Sequence, residues 1–371
     1  MSSITPVGAK GDRRYRARWR TPGGASRSAT FTRKLDAERH LATVTVSAAQ
    51  GAYVDPSAGR ATFGAYAASW AAAQPHRATT AASVEQILRV HILPTFERRQ
   101  IASIRTSEVQ AWIAGLELAP STVAVVYGKL AATFRAAEED RVIARSPCIR
   151  RIRLPRPDGA EVVPMTGAQA RAMVDAVSDR YRSLVVLMAG SGLRPAEALG
   201  LTVDRVDWLR RTIRVDRQLV TVAGEPPRHA PVKTTSSVRT IPVPRGVLDE
   251  LARHLERHSP GPHGLIFTDS KGDPIRRNAL GHIWRRGAVA AGVAGFTPHD
   301  LRHYAASVLI DQGTSVKAVQ RHLGHASATT TLDTYAHLWP ESEEVTRRAL
   351  EVGLAAIVSP ACHERPSAES V

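Results

Sequence analysis

The spacing of apolar residues changes character twice along this chain, and no single regular layer accommodates all three regimes. From Arg13 to Phe31 (RRYRARWRTPGGASRSATF) two alternating runs flank Pro22-Gly23-Gly24, a turn composition, and predict a β-hairpin. Side chains alternate along a strand, so Tyr15, Ala17 and Trp19 share one face while Arg14, Arg16, Arg18 and Arg20 share the other. The stretch from Leu35 to about Gln50 reads as a helix, with Leu35 and His40-Leu41 expected to pack back on the sheet. Gly51 to Gly59 has no apolar period and reads as a linker.

Helical spacing then takes over. Phe63, Tyr66, Ala67 and Trp70 recur at threes and fours, Val84, Leu88 and His91-Ile92 continue the pattern, and Val109, Trp112 and Ile113 give another stripe. Val123, Tyr127, Leu130, Phe134 and Ala137 mark a further amphipathic helix, so about four helices form an all-α bundle. Residues 150–158 (RRIRLPRPD) are basic and punctuated by proline, which predicts an extended crossing rather than a packed element. From Thr166 the pattern is mixed and mainly α, with β-rich runs at Thr212–Val215, Leu219–Val222 and Arg239–Val243. A small antiparallel sheet within a helical domain is expected. The segment 359–371 reads as a disordered tail.

Composition narrows the partner. The chain of 371 residues carries 50 Lys and Arg against 34 Asp and Glu, a formal charge of +16, which favours a polyanion. Only six of the basic residues are lysines, at 10, 34, 129, 233, 271 and 317, so a single arginine is weak evidence and a single lysine stronger. The two cysteines, Cys148 and Cys362, lie far apart and imply neither a disulfide framework nor a metal site. No apolar run approaches a membrane span, and a soluble, cytoplasmic protein is expected.

Three motifs carry chemistry. In GSGLRPAEAL, Pro195 favours a helix start and sets Arg194 at a corner suited to an anionic oxygen. In TPHDLRH, Thr297 and Asp300 form a capping pattern with Pro298 at the first helical position, placing His299 and Arg302 on one polar face. Leu301, Ala305 and Leu309 form the opposite, apolar stripe. In the third, Ser315 caps a helix carrying Val316, Val319 and Leu323, Gly324 ends it, His325 follows, and Tyr335 lies on a further helix. His322, His325 and His337 lack companions at familiar metal spacing, so no metal is expected.

Taken in order, LRPAE, TPHDLRH, HLGH and LDTY resemble the tyrosine recombinase, or phage integrase, family, and the resemblance covers the second half of the chain closely and the first half more loosely. It implies an arm-type DNA-binding domain at residues 1–55, a helical core-binding domain at 61–149, a linker at 150–162 and a catalytic domain at 163–358. It further implies catalytic residues Arg194, Lys233, His299, Arg302, His325 and the nucleophile Tyr335, with no cofactor. Lys233 matches a lysine that the family carries on a hairpin, and Lys271 is its competitor. The implied reaction cuts and rejoins DNA through a 3′-phosphotyrosine bond, with Lys233 as general acid and His299 assisting at the tyrosine. Double-stranded attachment-site DNA, a homo-tetramer assembled on it, and a DNA-bending or directionality factor are the implied partners. Arg14, Arg16, Arg18 and Arg20, with Arg150, Arg151 and Arg153, are expected to contact DNA. The last helix, near 341–357, would suit docking into a neighbouring protomer. A type IB topoisomerase or a noncatalytic DNA-binding regulator is the competing reading.

Overall fold

In a computed structural model, which describes residues 2–8, 13–51, 53–55, 57–156, 162–339 and 343–358, the chain divides into two compact units, Met1–Ala160 and Glu161–Val371. The expected tail at 359–371 and part of the expected linker lie outside the described residues.

The first unit opens with a three-stranded antiparallel sheet, β1 (Ser3–Val7), β2 (Arg14–Arg20) and β3 (Ser26–Phe31), in sequential order. Alternation works as expected: Ala17 and Trp19 are buried, whereas Arg14, Arg18 and Arg20 are exposed and Arg16 is half-buried. Helix α1 (Lys34–Ala49) packs across this sheet. Its buried contact is Ala37, and His40 sits edge-on to Trp19 with ring centroids 4.9 Å apart. Leu35 is exposed, contrary to expectation, because it falls outside the face that Ala37 and His40 define. The stretch read as a linker is tied back to the sheet. Trp19 Nε1 donates to the Tyr53 hydroxyl at 2.9 Å, and Arg27 forks onto Asp55 at 2.6 to 3.1 Å.

Helices α2 (Phe63–Ala73), α3 (Ala78–Ile87), α4 (Leu93–Phe96), α5 (Thr106–Ala114) and α6 (Pro120–Glu139) enclose a core of Phe63, Leu88, Ile92, Phe96, Val109, Leu130 and Phe134. A wide π turn, Leu88–Ile92, joins α3 to α4 just before Pro94, whose missing N–H would leave an α-helical ladder incomplete. Residues 152–156 have no regular structure but are not free. Ile152 and Leu154 pack against the helical core, Arg151 and Arg153 point outward, and Gln110 brackets the Arg153 backbone at 2.8 and 3.0 Å.

In the second unit, α7 (Gly167–Ala176) starts at a Thr166/Gln169 capping box, and α8 (Asp179–Ser191) and α9 (Pro195–Leu199) follow. Strands β4 (Val206–Asp207), β5 (Thr212–Val215) and β8 (Arg239–Pro242) form one antiparallel sheet; β6 (Arg217–Val220) and β7 (Arg228–Pro231) form a separate hairpin. The remaining helices are α10 (Arg245–Arg257), α11 (Arg277–Ala290), α12 (Asp300–Asp311), α13 (Val316–Leu323), α14 (Ala328–Tyr335) and α15 (Glu343–Val358). Most of the core lies between α7, α8, α10, α11 and the sheet, while a smaller one gathers Ala306, Ile310, Val319, Leu323 and Tyr335. That smaller core fixes α12, α13 and α14 against one another. None of the described helices is long and apolar enough to cross a membrane.

Candidate active site

Two helices end in the same way, and their ends organise the site. Helix α8 stops at Gly192 (φ +64°) and α13 at Gly324 (φ +68°), both in the left-handed region that glycine enters without a Cβ penalty. A methyl group on Gly192 would stand 2.9 Å from Leu323, and one on Gly324 would stand 2.9 Å from the Arg239 guanidinium. The chain ends that these glycines turn aside present carbonyls to arginines. Arg302 donates to Gly192 O at 2.8 Å and to Leu323 O at 2.6 Å, and Arg194 donates to Gly324 O at 3.0 Å.

Arg302 is 1% exposed. The sequence places it on a polar face, but the side chain runs inward between α8 and α13. Helix α12 also begins at Asp300, two residues later than expected, so that Pro298 precedes it and His299 is its cap. The Asp300 carboxylate accepts from both the backbone N–H and the hydroxyl of Thr297 at 2.6 Å, which sets that start. Among the described residues no carboxylate lies within ion-pair distance of Arg302. Burial, with Arg194 nearby, presses its guanidinium down to about 9, still protonated at neutral pH.

Arg194 is anchored by Glu197, which is buried and accepts from Arg194 Nη1 at 2.8 Å and from its backbone N–H at 3.0 Å. The same carboxylate accepts from Arg239 at 2.9 and 3.3 Å, and Arg239 also donates to His322 O at 2.7 Å. Its charge neighbours hold Glu197 below the ordinary carboxylate range in spite of its burial. One carboxylate thus serves two guanidiniums, and Arg302 has none among the described residues. The site carries excess positive charge and suits an anion with several oxygens.

Tyr335 ends α14 and is 1% exposed. Its hydroxyl lies 2.8 Å from Nδ1 of His303, a residue that the motif reading passed over as the flank of His-x-x-Arg. Burial raises the phenol to about 12, against the pull of Arg302 and Arg194. His299 stands beside His303 with ring centroids 5.0 Å apart, so the tyrosine's hydrogen-bond partner is His303 and not His299. His325 stacks on Tyr335 at 6.3 Å and pairs through Nδ1 with the Thr331 hydroxyl at 2.9 Å. Burial and then Arg302 and Arg194 lower His325 to about 4. His299 is exposed to solvent, and the protein on its covered side, with His303 and Arg302 beside it, lowers it to about 4.

Arg194, His299, Arg302, His325 and Tyr335 are therefore brought together. Lys233 is not joined to them by any hydrogen bond or ion pair. It is exposed and lies past the end of β7, at the foot of the hairpin rather than at its turn near Val222–Glu225. Lys271 is exposed too, in the turn before Pro274. Arg239, His303 and Glu197 complete the cluster. Glu197 was missed, although its i, i+3 spacing from Arg194 is a signal that could have found it. Nothing in an arginine-rich sequence singled out Arg239.

A profile described as "Phage integrase family" matches residues 164–341, and one described as "Phage integrase, N-terminal SAM-like domain" matches residues 62–116. The prophage phiRv2 integrase of Mycobacterium tuberculosis is 29% identical over 336 residues, covering 85% of this chain and 86% of its own length. Among solved structures, the Tn1549 transposon integrase in complex with a circular intermediate DNA aligns with a TM-score of 0.68 at 23% identity, over 79% of this chain and 99% of that one. A lambda integrase tetramer bound to a Holliday junction aligns with a TM-score of 0.57 at 16% identity, over 84% of this chain and 94% of that one. At those identities the structures establish a shared fold.

Proposed function

Since the chain belongs to the phage integrase family of tyrosine recombinases and is a site-specific DNA recombinase, we propose that it cuts and rejoins strands through a 3′-phosphotyrosine bond at Tyr335. The observation that carries this is the buried Arg302 guanidinium, which has no carboxylate partner among the described residues and lies beside Arg194 and the tyrosine. A buried cation held only by carbonyl dipoles is stabilised when a phosphodiester enters. Two guanidiniums then bind its nonbridging oxygens, and the charge that develops during attack strengthens those bonds. His325 and His299, held neutral, donate N–H groups to the same oxygens. Lys233 protonates the departing 5′-oxygen, a task for an ammonium that ionises more readily than a guanidinium. Its exposed position at the foot of a hairpin is compatible with a group that meets DNA from the open side.

The exposed arginines of β2, with Arg16, and those at 150, 151 and 153, supply phosphate contacts that position the protein without reading bases. A tetramer on DNA, as in the lambda integrase structure, provides the four tyrosines that exchange of two duplexes needs. Helix α15 exposes Leu350, Val352, Leu354 and Ile357, an apolar surface for a neighbouring protomer. Attachment sites cloned on two plasmids test this reading. Wild type is expected to join them into one, and Tyr335→Phe to yield no joined product. Relaxation of supercoils by a protein that never joins two sites would contradict it.

A further inference from the structure

The hydroxyl of Tyr335 has one described hydrogen-bond partner, and it is not among the residues to which the motifs assign a catalytic role: Nδ1 of His303, at 2.8 Å. A phenol is a better donor than acceptor, so the natural polarity is O–H donating to a neutral imidazole nitrogen. The surroundings favour that form. The ring is half-buried, which outweighs the opposing pull of the Asp300 carboxylate, and His299 lies edge-on to it at 5.0 Å. His325, the other imidazole near the phenol, stacks on the ring at 6.3 Å and directs Nδ1 to Thr331 at 2.9 Å instead.

We propose that His303 is a catalytic residue, the base that takes the proton of Tyr335 as the tyrosine attacks the scissile phosphate. This rests on the recombinase reading above and names a residue which that reading does not use. As the bond from Tyr335 Oη to phosphorus forms, the O–H proton passes to His303 Nδ1 and an imidazolium results. The bond from phosphorus to the 5′-oxygen breaks, and that oxygen takes its proton from Lys233. On rejoining, the 5′-hydroxyl returns its proton to Lys233, and His303 returns its own to the departing tyrosine. No proton is gained or lost over the cycle.

The test is single-turnover cleavage of a nicked suicide core site by full-length protein, read as the rate of covalent adduct formation. In His303→Asn the amide oxygen takes up the place of Nδ1 and keeps an acceptor for the phenol, but it cannot hold the proton. Cleavage should fall about 100-fold, the usual contribution of a positioned base, with core-site binding unchanged. Replacing Tyr335 by a ring-fluorinated tyrosine, whose hydroxyl ionises more readily, should then recover about tenfold in the His303→Asn background and change wild type little. An Asn variant that cleaves as fast as wild type, or faster, overturns the proposal, as does a loss that the fluorinated residue leaves untouched. Should Asn impair binding, His303→Gln is read by the same two criteria. Wild type that forms no adduct at Tyr335 would instead overturn the underlying chemistry, so the two failures are told apart.

Discussion

Glu197 is the residue on which the charge balance of the site turns. It is buried and accepts from both Arg194 and Arg239, so removing it leaves the buried Arg239 guanidinium and the half-buried Arg194 guanidinium with one carboxylate fewer. Glu197→Ala is expected to destabilise the second unit by about 3–5 kcal/mol, the usual cost of orphaning a buried charge. Urea unfolding measures it, and a change within about 0.5 kcal/mol would show that the pair is no more than a surface contact. At this scale the sequence was informative where residues are spaced by a rule. Arg194 and Glu197 stand at capping-box separation, and His299 and Arg302 at helical separation. Arg239 was invisible because arginine is the commonest cation here, and His303 because adjacency to a motif carries no direction. Only the fold turns His303 toward Tyr335 from 32 positions away.

The elements that matter most are the ends of α8 and α13. Both stop at a left-handed glycine, and the carbonyls at or beside those glycines hold Arg302 and Arg194. Gly324→Ala brings about 1–2 kcal/mol of left-handed backbone strain and sets a methyl group against the Arg239 side chain. It should lower stability by that amount or more and slow adduct formation while core-site binding persists. Unfolding midpoints and single-turnover rates check it; a variant equal to wild type in both would show that the turn is not what holds Arg194. The bounds of α13 were legible in advance, since Ser315 and Gly324 announce its two ends. Strands β1, β4 and β7 were not. They are short, and β1 and β7 carry no buried side chain from which a period could be read. The exposure of Leu35 has a similar origin, because α1 meets the sheet through the small Ala37 and the aromatic His40 rather than through its largest apolar residue.

For the molecule as a whole, the +16 charge divides by location. Exposed arginines on β2 and at 150–153 meet solvent, whereas Arg302 and Arg239 are buried around the candidate site. Gathering cations in the interior also depresses the neighbouring histidines. His325 is lowered to about 4, and His303 and His322 are lowered by burial. Their unfolded forms titrate near 6.5, so between about pH 6.5 and 4 the unfolded chain binds more protons than the folded one. Stability therefore falls as pH drops through that window. Thermal melts should show a lower Tm at pH 5 than at pH 7, and core-site DNA should narrow the gap, because a phosphate at the site favours the charged imidazoles. A Tm that rises on acidification would contradict the burial of these rings. The attachment chemistry is tested by trapping the protein on suicide core-site DNA and mapping the attached residue by mass spectrometry. The DNA is expected on Tyr335, with no adduct from Tyr335→Phe; an adduct on any other residue, such as Tyr304, or one that survives in Tyr335→Phe, would contradict it.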